Sequence, residues 1–303
     1  MKVTLNTMHD GSEVVHYDTP GIPLSIQKKR LSAYTGMRAD CHWHEDLEII
    51  YLLEGEMYYH INGKRILLKS SEGIIVNSTV IHYGCDRAQQ ECIFLCVMFH
   101  PKILHSNTLL YDKYIGPVLD ERLWASWKIT PEKDSQLIHQ IHTLWKISEN
   151  KTDGYELKIL SCLYTTWLLL LEHCRDCQDI SGVSDASILP HVQTMKKLVA
   201  YIHQHYTEDI SLEDLCRHAG IGKSACCSLF KKHTAHPPIA FVNQYRLKAA
   251  ADLLLTTDRS VTEIATVCGF NHHSYFTKSF RKLFACTPSG FRARYGRRSP
   301  QGL

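Results

Sequence analysis

Residues Ser260–Arg292 read SVTEIATVCGFNHHSYFTKSFRKLFACTPSGFR. Ser260 followed three residues later by Glu263 is a capping-box pattern, in which serine and carboxylate satisfy free amides at a helix start. The helix that begins there is short, because Gly269 follows it. Glycine takes the left-handed conformation that stops a helix and lets the chain turn. A second helix then carries Lys278, Arg281 and Lys282. Helix, glycine turn and cationic second helix is the plan of a helix-turn-helix. The second helix of such a pair can lie in the major groove and read base edges.

The plan occurs twice. SLEDLCRHAGI begins at Ser211 and SVTEIATVCGF at Ser260, an offset of 49 residues. Ser211 with Asp214 repeats the capping box, and Gly220 repeats the stop. Phe230-Lys231-Lys232 corresponds to Phe280-Arg281-Lys282 at an offset of 50, so the second copy has one extra residue near its turn. Pro238 and Pro288, then Phe241 and Phe291, continue the match. Between the copies Pro238 suits a first helical turn, and Phe241, Tyr245, Leu253 and Leu254 recur on a helical period. A linking helix of about 15 residues would span about 22 Å, against the ~34 Å between adjacent major grooves on one face of DNA. One glycine-turned helix pair is also compatible with a plain helical bundle. Two copies in a basic setting point to duplex DNA. From His191 onward there are 16 Lys and Arg against seven acids, a net charge of +9, while the first 190 residues carry −6. A basic C-terminal third beside an acidic remainder implies a polyanion partner.

Ile210–Tyr295, and most specifically EIATVCGFNHHSYFTKSFRKLFACTPSGFR over Glu263–Arg292, resembles the tandem DNA-binding domain of AraC/XylS-type regulators. The resemblance implies two recognition helices in successive major grooves. By position, His273, Ser274, Thr277 and Lys278 would face bases in the second copy, with Arg281 and Lys282 near phosphate. In the first copy Ser224, Cys227 and Ser228 would face bases. Those side chains are short, and the family often has a long polar or cationic residue at the place of Ser228 and a leucine at that of Cys226. The first unit is therefore expected to rely on phosphate contacts from Lys223, Lys231 and Lys232, and the second to carry more of the specificity. Ala235 and Ala285 stand where the family usually has a C-terminal glycine.

The first ~125 residues read as strands: Leu47–Leu53, Met57–Ile61, Ile66–Leu68, Ile74–Val76 and Ile93–Phe99 are short and rich in β-branched or aromatic residues. Glu54-Gly55 and Asn62-Gly63 mark turns, the latter a strong hairpin signal. This predicts a sandwich or barrel. Within it His42-x-His44, Glu48, Gly55 and later His82 resemble the motifs of the cupin superfamily, a small β-barrel that many AraC-type regulators carry as a sensor. The usual glycine and proline of the second motif are replaced by Ser71 and Ser78. Three histidines and a carboxylate can bind Fe, Mn, Zn, Ni or Cu, can line a pocket for an organic effector, or can hydrogen-bond inside the barrel. Regulatory cupins of this pattern are generally taken to work without metal, so His42, His44, Glu48 and His82 are read first as effector-binding residues, with no cofactor assigned and metal as the alternative.

The expected fold class is α+β multidomain. Residues 1–125 form the cupin-like effector-sensing barrel, 126–175 a helical dimerisation region, 176–190 a linker and 191–303 an all-α domain with two helix-turn-helix units. In the helical region Leu137, Ile141, Leu144 and Trp145 share one face of a helix that Pro131 helps to start, and a second helix runs from about Gly154 to Cys174. Leu157–Leu171 is too short and too interrupted to span a bilayer, and no signal peptide opens the chain. Twelve scattered cysteines without such a signal fit free thiols in a reducing cytoplasm. Cys174-x-x-Cys177 is a lone pair of weak meaning. No phosphate-binding glycine loop or nucleophile elbow is present, so no enzyme is expected. The reading is a homodimeric, effector-sensing transcription regulator, an activator more often than a repressor in such a family. Its partners are double-stranded DNA and RNA polymerase, not a membrane. The alternatives are a metal-dependent cupin enzyme, or a metal or thiol sensor using Cys226 and Cys227, with an attached DNA-binding domain.

Overall fold

The computed structural model describes residues 12–105, 107–120, 124–180 and 188–295, without the side chains of 176–180 and 188–189. They fall into two compact units, one chiefly of residues 12–192 and one chiefly of 193–303.

In the first unit the strands are β1 (Leu24–Arg30), β2 (Leu47–Glu54), β3 (Glu56–Ile61), β4 (Lys64–Lys69), β5 (Gly73–Val76), β6 (His82–Asp86), β7 (Ile93–Phe99) and β8 (Ser126–Ile129). They make two antiparallel sheets, ordered β1-β7-β2-β5-β8 and β4-β3-β6. β2 is central, and its residues Leu47 to Leu52 are all buried. The period of two explains how. Leu47, Ile49 and Tyr51 join Leu24, Ile75, Leu95 and Val97 in a core shared with helices. Glu48, Ile50 and Leu52 point to the opposite face. Asn62 and Gly63, at φ 47° and 81°, close β3 onto β4 with Ile61 opposite Lys64. This is the two-residue hairpin that Asn-Gly favours.

Two helices cover the larger sheet: α1 (Ser135–Glu149) and α2 (Tyr155–Ile180). Leu137, Ile141 and Leu144 of α1 and Ile159, Leu163, Trp167 and Leu170 of α2 enter the sheet core. Trp145 packs against it only partly buried. Sequence and structure differ at three places here. The sheet does not end at residue 125, because β8 pairs with β5 as a four-residue edge strand too short to leave a periodic signal. Pro131 does not start α1. It lies in the preceding turn, which Asp134 closes by accepting a 2.8 Å hydrogen bond from the Thr130 amide. The expected linker is helical at both ends, since α2 continues to Ile180 and α3 (Ile188–His205) already contains Pro190 in its first turn, where the missing N–H costs nothing. Residues 181–187 lie outside the described residues.

The second unit continues with α4 (Leu212–Ala219), α5 (Lys223–Thr234), α6 (Pro238–Thr256), α7 (Val261–Val267), α8 (His273–Phe284) and α9 (Pro288–Tyr295). Both capping boxes form: Ser211 with Asp214 and Ser260 with Glu263. Gly220 and Gly269 turn the chain at φ 66° and 78°. α6 has 19 residues, longer than the sequence suggested, and spans about 28 Å. Its Pro238 occupies the first turn.

α5 and α8 end differently from their starts. Ala235 and Ala285 hold left-handed conformations at φ 55° and 58°, which an L side chain adopts at a cost of about 1–2 kcal/mol. Replacing either by glycine relieves that strain, partly offset by a more flexible unfolded chain. Ala235→Gly and Ala285→Gly are each expected to stabilise the DNA-binding unit by about 0.5–1 kcal/mol. Its calorimetric transition should rise by about 2–6 °C per substitution.

Candidate functional site

The face that α8 presents is decided by what it buries. Phe276, Phe280 and Phe284 recur at four-residue spacing and pack with Phe291 of α9 and with Leu247, Ala250 and Leu254 of α6. Ring centroids lie 4.4 Å apart for Phe280 and Phe284 and 5.5 Å for Phe280 and Phe291. With that stripe inside, His273, Ser274, Lys278 and Arg281 are exposed and Thr277 half-buried. Together with Thr287 these five line one shallow concavity. Lys282 is exposed beside them.

α5 is organised alike with different chemistry. Cys226, Leu229 and Phe230 are buried, while Ser224, Cys227, Ser228, Lys231 and Lys232 are exposed. Cys226 takes the packing role of an aliphatic residue. Burial and the neighbouring Cys216 push its thiol up to about 12, so it stays neutral. Lys223 is exposed as well. It stands at the first position of α5 and pairs with Glu213 of α4. A cation at a helix N-terminus opposes the helix dipole, and the carboxylate offsets that.

Two arginines that sequence reasoning missed hold this unit together. Arg246 of α6 is buried. It donates from Nε to the Tyr206 carbonyl at 2.7 Å and from a terminal nitrogen to the Glu208 carbonyl at 2.5 Å, tying the end of α3 to α6. Arg292 donates to the Leu254 and Arg259 carbonyls at 3.2 and 2.5 Å, near the end of α6. Their partners are backbone carbonyls in and just after α3 and α6, which no local sequence pattern marks.

In the first unit the His-x-His stretch is not a regular strand. Isolated bridges pair His42 with His82, through mutual backbone hydrogen bonds of 3.1 and 2.9 Å. The three imidazoles gather, with His82 centred 4.3 Å from His42 and 5.0 Å from His44. Glu48, projecting from the inner face of β2, places Oε2 3.2 Å from His44 Nε2 and 3.5 Å from His82 Nε2. Tyr59 of β3 donates its hydroxyl to Glu48 Oε1. All four residues are buried, and one ligand-type atom from each lies within 4.8 Å of the others. Burial and the His82 charge hold His42 well below the usual imidazole range. Burial acts the same way on His44, but the Glu48 hydrogen bond and charge outweigh it and raise that ring. Burial opposes ionisation of Glu48, yet the His82 charge and the His44 hydrogen bond lower it well below the usual carboxylate range. A fifth residue, Glu13, was not singled out in the sequence. Its amide donates to the Trp43 carbonyl at 2.8 Å, and its Oε2 lies 3.2 Å from His42 Nε2.

Residues 32–166 match the model of the AraC-like ligand binding domain, and residues 215–294 match that of a helix-turn-helix domain. The HTH-type transcriptional regulator YdeC of Bacillus subtilis, itself uncharacterised, is 24% identical over 294 residues, covering 92% of this chain and 95% of that protein. The transcriptional activator RhaR of Mannheimia succiniciproducens is 28% identical over 257 residues, 84% of this chain and 87% of its own. The regulatory protein PocR of Salmonella typhimurium is 38% identical over 103 residues, 34% of each chain. The chain belongs to the AraC family of transcriptional regulators.

As an AraC-family regulator it carries its two functions in separate sequence blocks: a ligand-binding domain that contains the histidine cluster, and a helix-turn-helix domain that contains α4 to α9. Among the described residues no helix is long and apolar enough to cross a membrane. The Cys174 side chain is buried, while that of Cys177 lies outside the described residues.

Proposed function

We propose that this AraC-family regulator is a cytoplasmic homodimer that reads duplex DNA chiefly through α8 and activates transcription with RNA polymerase when a ligand occupies its β-domain. The split of α8 into a phenylalanine face and a face of His273, Ser274, Thr277, Lys278 and Arg281 carries the reading. Lys278 and Thr277 reach base edges, while Arg281, Lys282, Lys231 and Lys232 neutralise phosphates. Lys223 joins them by exchanging Glu213 for a phosphate. Activation rests on the relatives named as activators. His42, His44, Glu48 and His82 form the effector site, and a ligand there acts only through different affinities for DNA-competent and incompetent states. No catalytic step is needed. A thiol switch at Cys226 is disfavoured by its packed, neutral thiol.

Dimerisation is supported by α2. Leu157, Tyr164 and Leu168 are 73%, 40% and 57% exposed and share one face, opposite the face buried on the sheet. Two copies of this stripe bury each other's apolar surface. Leu157→Glu with Leu168→Glu is expected to sediment as a monomer where the wild type sediments as a dimer. The variant should still bind a duplex bearing one site, but lose tight binding to a duplex bearing two. A variant that remains dimeric contradicts the α2 interface, and a wild type that binds no duplex contradicts the regulator reading.

A further inference from the structure

The linking helix α6 touches the reading helix α8 through a side-chain relay. Asn243 of α6 stands between Arg246, one turn further along the same helix, and Tyr275 in the first turn of α8. Arg246 donates from a terminal nitrogen to Asn243 Oδ1 at 3.3 Å, and Asn243 Nδ2 donates to the Tyr275 hydroxyl at 3.3 Å. The two ends of the amide are not interchangeable here. A guanidinium only donates, so it must face the oxygen, and the NH2 group must then face Tyr275. The tyrosine oxygen is thus used as an acceptor, and its own proton is left to donate to another partner. Arg246 is itself fixed, because Nε and its other terminal nitrogen donate to the Tyr206 and Glu208 carbonyls at 2.7 and 2.5 Å. The relay therefore runs from the backbone just after α3, through α6, to the first turn of α8.

Tyr275 is 51% exposed, although its ring lies beside Phe270 with centroids 6.3 Å apart. Residues three, four and seven apart share one side of a helix. Tyr275, Lys278 and Lys282 therefore form a row along α8, and Lys278 belongs also to the concavity of the reading face. An outward hydroxyl proton in a row with two lysines suits an anionic acceptor. On a helix that enters a DNA groove, that acceptor is a phosphate oxygen.

We infer that the Tyr275 hydroxyl donates to one backbone phosphate of bound DNA, and that Asn243 and Arg246 are positioning residues that hold it in that orientation. The inference rests on the reading of α8 as the DNA-facing helix and adds a contact at its first turn. A phosphate held from that turn fixes the depth and register at which Thr277 and Lys278 meet the bases. The contact carries no base preference of its own, so it acts on all sequences alike.

The test measures binding of the full-length protein to a duplex that the wild type selects from random sequences, and to an unrelated duplex. Tyr275→Phe keeps the ring and removes the hydroxyl. It is expected to bind both duplexes about tenfold more weakly, as for loss of one hydrogen bond to a charged group, with an unchanged melting midpoint. Asn243→Ala leaves Arg246 its two carbonyl partners and should bind about threefold more weakly. Combined with Tyr275→Phe it should bind no more weakly than Tyr275→Phe alone, because both act on one contact. Methylphosphonate replacement then neutralises the phosphates one at a time. One position should weaken wild-type binding and weaken Tyr275→Phe much less. Wild-type affinity in Tyr275→Phe overturns the contact. A loss that comes with a lowered midpoint, and with every methylphosphonate costing the variant as much as the wild type, marks a packing role and overturns it too. Losses that multiply in the double variant overturn the relay through Asn243. A wild type that binds no duplex defeats the reading of α8 itself, whereas a wild type that binds duplex no better than Tyr275→Phe defeats only this inference.

Discussion

Gly269→Ala removes about 3 kcal/mol or more from the stability of the DNA-binding unit, whereas Gly220→Ala, at the equivalent position of the first copy, costs about 1 kcal/mol. Both glycines have positive φ, 78° and 66°, so both substitutions carry backbone strain. Only Gly269 is also crowded. A Cβ there would lie 2.6 Å from the Tyr206 carbonyl oxygen, 3.0 Å from Arg246 Nε and 3.1 Å from the Thr207 carbonyl oxygen. Nothing lies within 4 Å of a Cβ at Gly220. The Tyr206 carbonyl cannot retreat, because Arg246 holds it at 2.7 Å and holds Glu208 from the same guanidinium. The turn before α8 must therefore shift, or the Arg246 contacts must break and leave its buried guanidinium without those carbonyl partners. A loss of that size lowers the midpoint of a unit this small by roughly 12–24 °C. Denaturant melts of the two variants compare them directly, and equal losses would contradict the close approach at Gly269.

The second large effect is an asymmetry between the two recognition helices. Removing a base-reading side chain costs about 1–3 kcal/mol, so Lys278→Ala on α8 should weaken binding to the cognate duplex by roughly five- to a hundred-fold. It should weaken binding to unrelated duplexes much less. Arg281→Ala should weaken binding to all sequences alike and reduce the salt dependence by about one phosphate contact. Ser228→Ala on α5 removes one hydroxyl from a face of short side chains and should change affinity by less than threefold, on the order of a surface substitution. Affinities at two salt concentrations separate these outcomes. A larger loss from Ser228→Ala than from Lys278→Ala would reverse the assignment.

The tandem repeat was legible because its signals are local. A capping box and a glycine at the stop each act within one or two turns, so Ser260 and Gly269 could be read directly. The hairpin at Asn62-Gly63 was legible for the same reason. What escaped depends on distant partners. Glu13 becomes part of the histidine cluster only because its backbone pairs with Trp43. Arg246 becomes structural only because the end of α3 returns to it. β8 gains its strand conformation from β5 rather than from its own four residues. The cluster itself was half legible: the cupin resemblance implied that His82 joins His42, His44 and Glu48, but the Nδ1 contacts that orient the rings, to the carbonyls of Asp40, Asp46 and Val80, are marked by no pattern.

The most direct test of the central claim is selection of binding sites from random duplexes by the full-length protein, repeated with Thr277→Ala plus Lys278→Ala. The account predicts that the wild type selects two blocks about one helical turn apart, with most of the sequence preference in one block. It also predicts that the double variant loses preference in that block while keeping the other. An unchanged selected sequence in the double variant would contradict the assignment of DNA reading to α8.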